Sequence, residues 1–257
     1  MKDKAWLPRA IVLAIAVALA ALTPGCGGSS SVPPPPPPGA IPPGESIGGS
    51  SIVGRVLFRG DPPERKPLNM SGEAACRRPG DVALSEELIV NDDGSLRNSY
   101  VHVVSGLGDR LFAPPTTEVQ MDQRGCIFIP HLLPARANQI IAFKSSDAVV
   151  HNVRTVAREN PQFNVSMSGR GRTVKRFFPK PEIIQIRCDI HAWMAAYIAV
   201  SDHPFHDATG DDGAFSIDGL PAGTFEVEVW HERLGTSRQS VTLGEGERRE
   251  IEFSFGE

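Results

Sequence analysis

The chain has 257 residues, with 26 Lys and Arg against 30 Asp and Glu, so its formal net charge is −4. This charge excludes a strongly basic nucleic-acid-binding protein, because such proteins need a cationic face. Hydrophobic residues make up 40% of the chain, which is enough for a core, and the long apolar run is confined to the N-terminus. A protein with several membrane spans is therefore excluded as well.

The N-terminus has the pattern of an export signal. Three basic residues near the start precede an unbroken apolar run at 11–22, which is short for a membrane span. Soon afterwards Gly25 precedes Cys26, as in the signal of a bacterial lipoprotein, which this segment resembles. The resemblance implies a signal peptide at 1–25 and a lipid on Cys26. The alternative is cleavage near Ala20, which leaves Cys26 as an unmodified thiol.

Residues 26–50 are predicted to be a linker. Of the 24 residues at 27–50, 19 are Pro, Gly or Ser, and six consecutive prolines occupy 33–38. Such a composition cannot bury a core, and consecutive prolines favour the stiff polyproline II conformation. Behind a lipid anchor this segment is expected to act as a tether.

The rest of the chain shows the alternation that is typical of β-strands. Apolar residues occupy every second position in short segments such as 52–58, 225–229 and 251–255. Asp-Gly turns at 93–94 and 212–213 precede further segments of this kind, and no long amphipathic helix pattern is present. An all-β fold built from β-sandwiches is therefore predicted.

The stretch 212–225 combines a turn, a short strand, a Leu-Pro-x-Gly corner and a long strand. It resembles the carboxypeptidase-regulatory-like (transthyretin-like) β-sandwich, a type of module that is usually structural or adhesive. Neither flank alone holds enough strands for a sandwich, so the predicted domain combines 51–113 with 203–257, with about four strands from each. The segment 114–202 is predicted to be inserted between them. The alternative is a tandem arrangement in which the first flank packs on 114–202.

Four residues of the inserted segment have side chains suited to a soft metal ion. His151 stands in an apolar segment, and 37 positions later a short run supplies Cys188, His191 and Met194. Two imidazoles and one thiolate with a weak axial thioether are the ligands of blue-copper sites. Zinc is the alternative, but it would leave Met194 with little purpose.

The surroundings of these residues resemble the cupredoxin family of plastocyanin, azurin and amicyanin. The segment 128–133 matches the family's Phe-x-Pro-x-x-Leu strand, the strand at 142–144 precedes the first His, and the Cys-x2-His-x2-Met loop is of the short amicyanin type. The resemblance covers 116–200 and implies a Greek-key sandwich at 114–202. It also implies one copper ion that cycles between Cu(I) and Cu(II), bound by His151, Cys188, His191 and Met194.

The resemblance assigns a role to Asn152 as well, which is expected to hydrogen-bond between the two ligand segments and to tune the metal. Two positions depart from the family pattern: Asp189 stands where Thr or Ser is usual, and Trp193 where Phe or Pro is commoner. A carboxylate near the thiolate would favour Cu(II) if it pointed inward. The departures leave the ligand set unchanged and bear on the redox potential.

Two of the four cysteines remain after Cys26 is assigned to a lipid and Cys188 to copper. Because export places the protein in an oxidising compartment, Cys76 and Cys126 are the pair available for a disulfide. Such a bond requires their Cα atoms to lie within about 7 Å. The alternative is a pair of buried free thiols.

These features together predict an exported copper protein that carries single electrons to or from a redox partner protein, which the sequence does not identify. It would reside in the periplasm or at the cell surface and meet the membrane only through its lipid anchor. No nucleophile–base pair or carboxylate dyad is present to indicate an enzyme. The alternatives are an interaction or carbohydrate-binding module with a structural copper site, and a protein that delivers copper.

Overall fold

The computed structural model describes residues 32–76, 80 and 82–256, and the predicted signal peptide and Cys26 lie outside these residues. The described part is nearly all β, with one 3-10 turn at Ala74–Cys76. The strands in chain order are β1 (Ser50–Arg59), β2 (Tyr100–Ser105), β3 (Val119–Gln123), β4 (Phe128–Ile129), β5 (Leu132–Arg136), β6 (Ile141–Ser145), β7 (Val150–Val156), β8 (Asn164–Ser168), β9 (Thr173–Arg176), β10 (Glu182–Arg187), β11 (Ala195–Ser201), β12 (His206–Ala208), β13 (Ala214–Leu220), β14 (Gly223–His231), β15 (Gly235–Leu243) and β16 (Arg248–Gly256). The all-β prediction is confirmed.

Alternation of apolar and polar residues explains why these segments are strands with one buried face. In β14, Phe225, Val227 and Val229 are buried, while Glu226 and Glu228 between them are half-buried. Successive side chains of a strand point to opposite faces, so this spacing directs one row into a core. In β14 the sequence pattern therefore determines which face is covered.

Strands from both ends of the chain form one pair of sheets. β1 pairs with β13 in antiparallel fashion and with β16 in parallel fashion, and a second sheet has the order β12-β2-β14-β15. The two sheets share one apolar cluster, which includes Ile52, Val56, Val101, Phe215, Phe225, Val227 and Phe253. The flanking segments thus contribute to a common core although the residues of β3–β11 separate them in the chain.

Residues between these flanks form a second pair of sheets. One sheet has the order β5-β11-β10-β7-β8 and the other the order β4-β3-β6-β9. Their shared core includes Met121, Phe128, Phe143, Val153, Met167, Phe178, Ile184, Ile186 and Ile198. The middle segment therefore has its own hydrophobic core, as an independently packed sandwich requires.

A small apolar cluster joins the two pairs of sheets. Tyr100 of β2 packs with Leu132 and Ala199 of the middle segment. Tyr197 and Trp230 meet edge to face, with ring centroids 5.0 Å apart, a favoured geometry for aromatic pairs. The contact places side chains of β2 and β14 against those of β5 and β11.

The first flank differs from its prediction of about four strands. It supplies β1 and β2 alone among the described residues, and the apolar segment before the turn at 91–94 makes a single bridge between Val90 and Leu96. Apart from the 3-10 turn at Ala74–Cys76, the described residues between β1 and Leu84 form only an isolated bridge between Pro67 and Leu84. Met70 lies in the core of the middle segment, and Leu68 and Ala83 pack against it. Clustered prolines in this stretch explain the absence of a ladder, because proline cannot donate to one.

Part of the predicted linker lies against the body of the protein. Ile41 forms a parallel bridge with Phe112, and the N–H of Ile47 donates to the carbonyl oxygen of Gly219. Both isoleucines pack on the core that the flanks share. The expected free tether is therefore wrong for 41–50, because two apolar side chains within the Pro- and Gly-rich stretch find a buried surface.

Gly54 of the central strand β1 is a position where the neighbouring strands leave no room for a side chain. It lies opposite Phe215 in β13 and Ile251 in β16, and a Cβ atom there would overlap the carbonyl oxygen of Ile251. We expect Gly54→Ala to lower the free energy of unfolding by about 3 kcal/mol, because backbone must move to relieve the overlap. Chemical denaturation measures the effect. Gly49→Ala, whose Cβ would meet its nearest neighbour at an ordinary 3.9 Å, is the matched control and should change stability little.

Because of His231, we expect the free energy of unfolding to fall in acid. Its side chain is fully buried, Nε2 has no hydrogen-bond partner among the described residues, and burial, with the charges of His131 and Arg233, lowers its pKa to about 4. The unfolded chain takes up a proton below its pKa of about 6.5 while the folded protein does not, so stability falls as the pH drops through this window. The contribution of His231 is about 2 kcal/mol at about pH 5.

Denaturation curves at neutral pH and at about pH 5 check this result. His231→Gln removes the titrating group, so the variant should lose about 2 kcal/mol less than the wild type on acidification. Equal losses in the two proteins would contradict the assignment.

Candidate metal centre

Three neighbouring strands position the four predicted ligands. His151 is the second residue of β7, Cys188 directly follows β10, and Met194 directly precedes β11. β10 pairs with both β7 and β11, so the seven-residue connection 188–194 lies beside the start of β7. A tight loop and one adjacent strand thereby bring together residues that are 37 or more positions apart in the chain.

The donor atoms of His151, Cys188 and His191 converge. One ligand atom of each lies within 4.8 Å of the others, with 2.9 Å between the two Nδ1 atoms and 3.8 Å between Cys188 Sγ and His191 Nδ1. All three side chains are buried, and Met194 is buried in the same core cluster. Cys188 is the one free cysteine among the described residues. Two imidazole nitrogens and a sulfur that face each other out of water suit a soft metal ion.

Electrostatics favour the thiolate that a metal ion needs. Burial raises the pKa of Cys188, but hydrogen bonds from His151 and from backbone N–H groups outweigh it, and the net pKa is lowered. Burial lowers the pKa of His151, but hydrogen bonds to Cys188 and Asp147 outweigh it, and the net pKa is raised. The lowered pKa of Cys188 favours the thiolate, which is the form of cysteine that binds a metal ion.

Asn152 links the two ligand segments. Its Oδ1 accepts a hydrogen bond from the Asp189 backbone N–H at 2.6 Å, and its Nδ2 donates to Asp189 Oδ2 at 3.0 Å. Within the loop, the Cys188 N–H donates to the Met194 carbonyl, and the Met194 N–H donates to the His191 carbonyl. These bonds tie the residue after His151 to the residue after Cys188 and close the loop on itself.

The Asp189 carboxylate is hydrogen-bonded to side chains beside the candidate metal centre, not to the candidate ligands. It accepts hydrogen bonds from Asn152, from Asn164 at 2.8 Å and from Arg154 at 3.1 Å, and its side chain is 41% exposed. The bond from Arg154 is the largest cause of its lowered pKa. The inward orientation that would favour Cu(II) is therefore not adopted, and the charge is compensated at the surface.

Further residues of the site carry no strong signal in the sequence. Asp147 Oδ2 lies 2.9 Å from His151 Nε2, and Trp193 Nε1 donates to the carbonyl oxygen of Cys126 at 2.9 Å. Cys126 is bonded to Cys76, with 5.5 Å between their Cα atoms. The position of Asp147, four residues before His151, is the one hint that the sequence holds of its role.

No family model and no curated protein matches this chain. Among solved structures, a copper-containing nitrite reductase from Thermus scotoductus SA-01 is 21% identical over 38% of this chain and 25% of its own, with a TM-score of 0.32. A purple cupredoxin from Nitrosopumilus maritimus is 17% identical over 32% of this chain and 99% of its own, with a TM-score of 0.29. An oxidised point mutant of amicyanin is 14% identical over 39% of this chain and 98% of its own, with a TM-score of 0.31. The chain thus spans a quarter of the nitrite reductase, and each of these three matches covers less than two fifths of this chain.

Proposed function

We propose that this protein is an exported copper protein of the cupredoxin type that carries single electrons between redox partners. The observation that carries the proposal is the buried convergence of His151, Cys188 and His191, with Met194 at the end of the same loop. Bound copper would supply reversible one-electron chemistry between Cu(I) and Cu(II). The proposed activity is that of a carrier, not of an enzyme.

Rigidity of the ligand set supports an electron-transfer role. His151 is held within a paired strand, and the 188–194 loop is closed by two internal backbone hydrogen bonds and by the bonds of Asn152. Ligands held by such bonds are expected to keep nearly the same positions in both oxidation states. The cost of rearrangement during electron transfer is thereby small.

Exposed apolar side chains next to the ligands support docking of a partner. Ile190 is 53% exposed and directly precedes His191, and Val150 is 47% exposed and directly precedes His151. His191 itself is only 3% exposed, so the site lies just beneath this apolar surface. A redox partner that covers Ile190 would come close to a ligand without entering the metal site.

Location and anchoring belong to the same proposal. The signal-like N-terminus supports export and a lipid on Cys26. In the described part of the chain, no helix is long and apolar enough to span a membrane. The disulfide between Cys76 and Cys126 fits an oxidising compartment such as the periplasm. Mass spectrometry of the protein from membranes of an expressing bacterium tests for the lipid.

A second candidate function is a ligand-binding or interaction module with a structural copper site. A cavity of about 870 Å³ favours it, since its lining includes Tyr100, Arg110 and His203 but none of the four predicted metal ligands. A ligand in this cavity would leave the colour of bound copper unchanged. Spectroscopy of the metal site and binding at the cavity therefore report on the two functions separately.

Addition of Cu(II) to the purified metal-free protein tests the main proposal. We expect an intense visible band from thiolate-to-copper charge transfer, saturation at one ion per chain, and reversible bleaching on reduction. Zn(II) serves as the control, because it binds without producing a visible band. A colourless copper complex would contradict the proposal, and a coloured complex that releases copper on each reduction would favour copper delivery instead.

A further inference from the structure

A carboxylate lies on the outer side of the His151 ring. The Asp147 side chain accepts hydrogen bonds from the backbone N–H of Gly125 at 2.7 Å and from that of Cys126 at 2.8 Å. The same oxygen that accepts from Cys126 lies 2.9 Å from His151 Nε2. The Asp147 side chain is 16% exposed and His151 is fully buried, so water competes little for these bonds.

Asp147 determines which nitrogen of His151 can bind a metal ion. An ionised carboxylate only accepts hydrogen bonds, so the proton between the two groups belongs on His151 Nε2. A neutral imidazole has one ring proton, and Nδ1 therefore keeps its lone pair. Nδ1 is the atom that faces His191 Nδ1 across 2.9 Å. The contact thus selects both the ring orientation and the tautomer that a ligand requires.

The turn at Gly125 and Cys126 also acts on the second histidine, His191. The carbonyl oxygen of Cys126 accepts a hydrogen bond from Trp193 Nε1 at 2.9 Å. The Trp193 ring in turn packs against the His191 ring, with centroids 5.0 Å apart. The two backbone polar groups of Cys126 therefore act on both histidines, on His151 through Asp147 and on His191 through Trp193.

A disulfide fixes this turn in place. Cys126 has a φ of 59°, a left-handed conformation that is uncommon in residues other than glycine. Its sulfur is bonded to Cys76, both cysteines are buried, and Met70 and Cys76 belong to the same core cluster as Cys188. The bond ties the turn to a segment that lies outside the middle sandwich in the chain.

We propose that Asp147 and the Gly125–Cys126 turn, which the Cys76–Cys126 disulfide pins, form a positioning unit for the metal centre. Asp147 sets the tautomer and orientation of His151, and Trp193 sets the position of His191 from the same turn. None of these side chains is a metal ligand in this scheme. The inference rests on the proposed function, because it treats His151 and His191 as ligands.

The first experiment needs no copper. Two-bond ¹H–¹⁵N NMR spectra of the metal-free protein, at a pH above the imidazole pKa, report the tautomer of His151. We expect only the Nε2–H form in the wild type and in Asp122→Asn, and a mixture of both tautomers in Asp147→Ala. Asp122 is a matched control, since it is a buried carboxylate of the adjacent strand β3 that accepts from Ser146 Oγ. A single Nε2–H tautomer in Asp147→Ala would overturn the role of Asp147.

The second experiment measures affinity for Cu(I) by competition with a chromophoric chelator. We expect Asp147→Ala to bind about 10- to 100-fold more weakly, which is the usual cost of losing the partner of a ligating histidine. Trp193→Phe keeps an aromatic ring but loses the Nε1–H donor, so it should weaken copper binding without changing the His151 tautomer. The Cys76→Ala/Cys126→Ala double variant should both weaken binding and mix the tautomers.

One further variant and the wild-type spectrum distinguish a failure of the positioning unit from a failure of the copper site. Asp147→Asn keeps an acceptor oxygen and should restore part of the affinity, and it replaces Asp147→Ala if the latter does not fold. Wild-type affinity and spectrum in Asp147→Ala, Asp147→Asn and the double cysteine variant would overturn the positioning unit but leave the copper site intact. A wild type without the thiolate band would overturn the copper site, while the tautomer experiment would still decide the role of Asp147.

Discussion

Replacing Cys188 by serine is expected to abolish the intense visible band of the copper-loaded protein completely. The band arises from charge transfer between the thiolate and Cu(II), and Cys188 is the one free cysteine among the described residues that can supply it. Copper affinity should fall as well, because a neutral hydroxyl replaces an anionic ligand whose pKa the site lowers. Absorption spectra during titration with Cu(II) measure both effects. A coloured Cys188→Ser protein would overturn the ligand assignment.

Met194→Leu is the matched control for this experiment. The substitution changes a second buried residue of the same loop but leaves the thiolate and both imidazoles in place. The colour should therefore persist. The reduction potential should rise, because the axial donor that favours Cu(II) is lost. An unchanged potential would indicate that Met194 packs in the core without acting on the metal.

Removing the disulfide is expected to have the largest effect on stability. The bond joins residues that are 50 positions apart, and closing a loop of this length stabilises a protein by about 4 kcal/mol in the chain-entropy description. Cys76→Ala/Cys126→Ala should therefore lower the free energy of unfolding by about that amount. Chemical denaturation of the metal-free protein measures it.

Cys188→Ala serves as the control for the disulfide, since it removes a buried sulfur without opening a loop. It should cost only the packing of one small side chain. If the double variant lost no more stability than two such truncations, the loop-closure explanation would be contradicted. Measurement in metal-free buffer keeps copper binding out of the comparison.

Local patterns carry much of the fold and of the candidate site. Period-two alternation marks strands such as β1 and β14 because successive side chains point to opposite faces. The spacing of Cys188, His191 and Met194 is equally local, since all three lie on one loop between adjacent strands. Residue type and short spacing therefore predict which side chains are candidates for a metal ion, and counting cysteines predicts which pair is left for a disulfide.

Only the tertiary structure decided which partners these strands and candidate ligands contact. Alternation shows that one face of β1 is buried, but the ladders to β13 and β16 depend on backbone hydrogen bonds across more than 150 residues. The docking of Ile41 depends likewise on a surface built from distant strands, which no local pattern describes. The contacts of Asp147 with His151 and Cys126 depend on how a turn and two strands approach each other, so a lone aspartate in the sequence does not reveal them. Local chemistry thus selects strands and candidate ligands, whereas long-range packing selects the partners of each strand and the residues that orient the ligands.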